Sequence, residues 1–132
     1  GLGRAEHALL GAVLAQPHSG GVVLTGRLSL DAQPWLADHV VDGVVVFAGA
    51  GFVELVLRAG DQVGCPVVRE LVLVAPLVLT DTDPVAVQVS VDGADESGVR
   101  AVSVYARPGG EGDAESGWVL HAQATLAVNG VG

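Results

Sequence analysis

One segment of this chain has a helical period, and it is apolar almost all the way round. Phe52, Leu55, Val56 and Ala59 mark one face, and Val53 and Leu57 widen it. Only Glu54, Arg58, Asp61 and Gln62 form a polar stripe, so a helix over Phe52 to Gln62 must be wrapped by other structure on most sides. Gly60, Gly64 and Pro66 supply its stop. The rest of the chain reads with period two. Val22, Leu24, Gly26, Leu28 and Leu30 alternate with Val23, Thr25, Arg27 and Ser29. Arg69 to Leu79 is a long apolar stretch interrupted at Pro76, the signature of an edge or a bulge. Val85 to Val91 alternates cleanly, and the Asp92–Gly98 turn joins it to Val99–Arg107 as a hairpin. Trp118, Leu120, Ala122, Ala124, Leu126 and Val128 make a last strand after the Gly/acid loop Pro108–Gly117, read as mobile and non-catalytic. The expectation is an α+β fold, with a curved antiparallel sheet wrapped around one central helix.

Composition narrows the partners. With 132 residues the chain makes one domain, and 50% hydrophobic against 16% charged residues excludes disorder. A net charge of −9 argues against nucleic acid and anionic membranes. Much of that acid, including Asp83, Asp92, Asp95, Glu96 and Glu115, falls in turns and solvates loops. Cys65 has no internal partner for a disulfide, no basic neighbour in sequence and a proline after it, which suits an inert thiol in a reducing cytoplasm. No apolar run approaches the ~20 residues that span a bilayer. The start, Gly1 to Glu6, lacks the apolar centre of a signal peptide and reads as a cut from a longer chain.

The candidate chemistry lies just before the helix. Trp35-Leu36-Ala37-Asp38-His39 is followed by Gly43, the apolar run Val44 to Phe47, and Gly49-Ala50-Gly51. A histidine beside a strand that feeds a glycine-rich helix start suits acid–base work, with the helix's free amides available to a developing negative charge. On spacing alone, H-x-x-x-G fits a histidine that closes a loop better than it fits a base. Gly43, Gly49, Ala50 and Gly51 permit close backbone approach to a substrate, and turn and helix-start geometry explains them equally well. Asp38 and Asp42 flank His39 and read as loop-solvating carboxylates. His7, His18 and His121 fall in different elements without ligand spacing, so no metal is expected.

His7-Ala8-Leu9-Leu10-Gly11, Val23 to Leu30, Pro34 to His39, Gly51 to Leu55, Leu57 to Asp61, Glu70-Leu71, Ala75 to Leu79 and Trp118 with His121-Ala122 follow one another in a familiar order. In that order the chain resembles the start of a modular polyketide synthase dehydratase domain over nearly its whole length. That family's domain is a double hot-dog, so the resemblance implies a single hot-dog, the N-terminal half. It places His39 as the base of H-x-x-x-G-x-x-x-x-P, with Ala48 in the proline position and Ala8 where a proline usually follows the first histidine. The implied reaction is syn-type removal of water from a β-hydroxyacyl thioester, carried on the phosphopantetheine of an acyl carrier protein, with no directly bound cofactor. The implied partners are that carrier, a second hot-dog half or other synthase domains, and a second copy across a sheet edge. The acidic chain would not draw the acidic carrier by long-range steering. The family's catalytic aspartate lies in the second half, which this sequence lacks. Glu54 resembles the helix glutamate of single hot-dog dehydratases that act as homodimers; an i,i+4 ion pair with Arg58 is its plainer explanation. A non-catalytic spacer or dimerisation remnant is the reading from another class.

Overall fold

A computed structural model describes residues 11–80, 83–108 and 117–129. His7, Ala8 and most of the Pro108–Gly117 loop lie outside the described residues. Strands β1 (Ala12–Gln16), β2 (Gly21–Leu28), β5 (Val67–Leu73), β6 (Val85–Val91), β7 (Arg100–Pro108) and β8 (Val119–Ala127) form one six-stranded antiparallel sheet, ordered β1-β2-β6-β7-β8-β5. A 3-10 helix (Pro34–Asp38) and the short hairpin β3 (Val40–Val41) and β4 (Val44–Val45) precede the helix α1 (Gly49–Gln62). This is the single hot-dog expected from the sequence.

The helix and the sheet bury each other. Phe52, Leu55, Val56 and Ala59 of α1 are closed off from solvent, as are Val87, Val89, Val102, Val104, Ala122 and Leu126 from the inner faces of β6, β7 and β8. In β6 the alternation is complete: every valine is buried and every residue between is partly exposed. The helix stops in a Schellman arrangement: Cys65 N–H donates to the Gly60 carbonyl at 2.8 Å, and Gly64 takes φ +73°. Gly60 has a second reason to be glycine, because a Cβ there would collide with the Cys65 carbonyl oxygen.

Three boundaries differ from the sequence reading. The helix begins at Gly49 rather than Phe52, so Gly49-Ala50-Gly51 is its first turn. The stretch Arg69–Leu79 is not one strand. β5 runs from Val67 to Leu73 at the sheet edge with a bulge after Val68, and the chain then leaves the sheet, with Val78 forming an isolated bridge to Val46 just after β4. β1, at the opposite edge, has no alternating pattern to announce it and is held by its pairing with β2.

Candidate active site

The loop that presents His39 is stapled from within. The buried Gln33 side chain accepts the Ser29 N–H at 2.8 Å and donates to the Arg27 carbonyl at 3.4 Å, which ties the end of β2 to the 3-10 helix. Leu36 then anchors that helix in the core while Trp35 stays at the surface. His39 ends it in extended conformation, with φ −100° and ψ 103°. The chain reverses at Asp42 (φ 51°) and Gly43 (φ 78°), the paired left-handed residues of a tight two-residue hairpin. Gly43 is therefore the turn residue. It borders neither cavity described below, and its Cβ position faces open space.

The hairpin register puts His39 opposite Val46. Val46 N–H donates to the His39 carbonyl at 3.0 Å, and the His39 ring Nδ1 lies 3.0 Å from the Val46 carbonyl oxygen. A carbonyl can only accept, so Nδ1 carries the hydrogen, and in the neutral ring the lone pair is then on Nε2. That is the tautomer a general base needs. The ring is exposed and stands on the rim between two cavities. One, of about 470 Å³, is lined by Trp35, Leu36, Asp38, His39, Phe47, Ala48, Ala50, Gly51 and Glu54. The other, of about 270 Å³, is lined by His39, Val46, Phe47, Gly49, Phe52 and the run Leu73 to Pro76.

The remaining candidates thus gather around His39. Ala50 and Gly51 present the first turn of α1 to the larger cavity and Gly49 to the smaller; Gly51 N–H donates to the Ala48 carbonyl at 2.8 Å, so the Gly49 and Ala50 amides are those of this turn that precede the first intrahelical bond. Gly51 also serves packing: a Cβ there would sit 2.5 Å from the Phe47 ring, which meets Phe52 edge-on at 4.8 Å. Glu54 reaches the same cavity but is also paired with Arg58, with Oε1 3.4 Å from Nε. Asp38 is exposed at the cavity edge. His18 lies on the β1–β2 turn and His121 is buried in β8, both away from this rim. Among the described residues no three potential ligands cluster for a metal. Sequence reasoning missed Gln33, whose only signal was a glutamine just before a proline-started turn.

Ala48, at the helix N-cap, has φ −67° and ψ 151°. That φ is the one a proline ring imposes. Ala48→Pro is expected to stabilise the chain by about 0.4–1 kcal/mol through the unfolded state, read as a higher Tm. A lower Tm would show that the junction has conformational demands a proline cannot meet.

Residues 7–107 match the family described as the polyketide synthase dehydratase domain, and the chain belongs to that family. It is 66% identical over 126 residues to a mycoketide-CoA synthase of Mycobacterium tuberculosis, covering 96% of this chain and 3% of that protein. It is 65% identical over 128 residues to a phenolphthiocerol synthesis type I polyketide synthase of Mycobacterium marinum, covering 97% of this chain and 6% of the relative. Among solved structures, the erythromycin dehydratase superposes with a TM-score of 0.85 at 48% identity, covering 92% of this chain and 45% of that one. A structure described for dehydratase substrate selection in the borrelidin and fluvirucin synthases gives 0.86 at 51%, covering 94% and 43%. The chain thus spans less than half of each of these dehydratase structures and a few per cent of the curated relatives' length.

Proposed function

We propose that this chain carries the base half of a β-hydroxyacyl-carrier dehydratase site. The observation that carries the reading is the Nδ1 anchor of His39 on the Val46 carbonyl, in a residue that lines both cavities beside the start of α1. In this reading Nε2 removes the α-proton of a β-hydroxyacyl thioester. The Gly49 and Ala50 amides at the start of α1 meet the negative charge that develops on the thioester oxygen. Water then leaves as the double bond forms, by the syn course that the family resemblance implied. The leaving hydroxyl needs a proton, and among the described residues only Asp38 and Glu54 bring a carboxyl group to this cavity. Glu54 is held against Arg58, and Asp38 is solvated at the edge. The acid therefore comes from outside this chain, from a second hot-dog.

Its place in the assembly follows from the exposed edges. Val72, Leu73 and Val74 stand about half exposed at the β5 edge, next to the smaller cavity, and Val13 and Leu14 are open on β1 at the other edge. A second hot-dog half covers the first, and edge pairing between copies covers the other. The substrate arrives on the phosphopantetheine of an acyl carrier protein within a cytoplasmic synthase. No helix among the described residues is long and apolar enough to cross a membrane.

One observation favours a second reading. Glu54 and His39 border one cavity, the arrangement a self-contained homodimeric hot-dog dehydratase would build on. Both readings place substrate at the same rim. A β-hydroxyacyl pantetheine thioester titrated into the labelled chain should shift the resonances of Trp35, His39, Ala50, Gly51 and Glu54. Shifts confined to other faces would sink both.

A further inference from the structure

Two of the described histidines hold a backbone carbonyl through Nδ1, and the short run that carries one of those carbonyls pairs with the segment that carries the other. His121 is 7% exposed. The β7–β8 register pairs Val104 with Ala122 and Tyr105 with Leu120, so His121 is the extra residue of a bulge. Its Nδ1 lies 3.0 Å from the Ala75 carbonyl oxygen and must donate to it. Its own carbonyl accepts the Val74 N–H at 2.8 Å and the Ala75 N–H at 3.3 Å. The Phe52 ring stacks nearby, with centroids 6.5 Å apart and planes at 23°. The end of β5 is therefore fastened to His121 by three hydrogen bonds.

From Ala75 the chain runs as a strap to Leu79. Phe47 N–H donates to the Leu77 carbonyl at 2.8 Å, Leu79 N–H donates to the Val45 carbonyl at 2.9 Å, and Val78 bridges Val46. Val46 is the residue whose carbonyl holds the His39 ring. Leu73 to Pro76 also form a wall of the smaller cavity that His39 borders. The strap is thus pinned at one end by His121 and at the other to the residue that orients His39.

We propose that His121 is a positioning residue for His39, acting through the Ala75–Leu79 strap without touching substrate. The proposal rests on the reading of His39 as the base. His121 borders neither cavity that His39 lines and instead lines a separate hollow of about 120 Å³. Mere core filling would be met by any side chain of similar size. Positioning needs a donor on the ring atom next to Cγ. Asparagine supplies its amide N–H at that atom; glutamine displaces it by one carbon.

The test compares His121→Leu, His121→Asn and His121→Gln in the isotope-labelled chain, reading the His39 ring nitrogen shifts and amide exchange at Val74 and Ala75. The leucine and glutamine variants should speed exchange at those two amides by about tenfold, the scale of one lost hydrogen bond. They should also move the His39 ring shifts away from the Nδ1–H tautomer, while Val87 and Val104 amides in the central strands keep their protection. The asparagine variant should match the unmutated chain in both readouts. Unchanged His39 shifts and unchanged Val74 and Ala75 amides in His121→Leu would overturn the proposal. So would an asparagine variant as perturbed as the leucine one. Should His121→Leu fail to fold, equal behaviour of the asparagine and glutamine variants overturns it instead. None of these readouts depends on turnover, so a His39→Ala dehydratase that stayed active would remove the base reading and leave the strap result standing.

Discussion

His39→Ala, made in a full double-hot-dog dehydratase that includes this chain, is expected to lower dehydration of a β-hydroxyacyl thioester by about 10²–10⁴-fold, the usual contribution of a positioned general base. The fold should be unaffected, because the ring is exposed and its one hydrogen bond goes to the Val46 carbonyl at an accessible hairpin. The hairpin keeps its own register through Val40–Val45 and Val41–Val44. An unchanged Tm with a collapsed kcat separates chemistry from folding. Retention of most of the activity would return His39 to the role of a loop-closing residue, which its spacing alone favoured.

The largest effect on stability is expected at Phe52. Its side chain is 2% exposed, meets Phe47 edge-on and stacks against His121, so it joins the helix, the segment after β4 and the bulge of β8. Phe52→Ala removes the ring and leaves a cavity that three separate elements cannot close together. A loss of about 3–5 kcal/mol follows. Against a total of roughly 5–15 kcal/mol for a domain this is a large share. Chemical denaturation should show the midpoint falling with little change in slope. A loss under about 1 kcal/mol would mean that the surroundings collapse onto the vacancy and that the three elements are not rigidly joined there.

The helix and most of the sheet were legible because burial there is regular. Phe52, Leu55, Val56 and Ala59 recur at helical spacing, and the buried valines of β6 recur at every second residue, so pattern and packing coincide. Where the backbone breaks register, the pattern misleads. Read with period two, His121 falls on the outer face of its strand between Leu120 and Ala122. The bulge leaves both His121 and Ala122 inside. The strap is hidden for a related reason: Ala75 to Leu79 looks like more strand, yet after Leu73 its partners are the His121 carbonyl and the Val45–Phe47 segment. At the site, His39 and the helix start were legible as a juxtaposition in sequence. The tautomer was not, because it depends on a hairpin register that places Val46 opposite the ring. The left-handed conformation that Asp42 shares with Gly43 was not legible either, although a turn role for Gly43 was.

The half-site reading is tested most directly by offering a β-hydroxyacyl pantetheine thioester to the 132-residue chain alone, and then to the same chain with the second half of a dehydratase supplied separately. The expected result is no useful turnover by the chain alone, where among the described residues only Asp38 and Glu54 bring a carboxyl group to the His39 cavity, and turnover on adding the second half that His39→Ala abolishes. Efficient turnover by the chain alone would contradict it. The contradiction would be complete if His39→Ala and Glu54→Ala were each inactive and their mixture partly active, because the acid would then be Glu54 of a second copy.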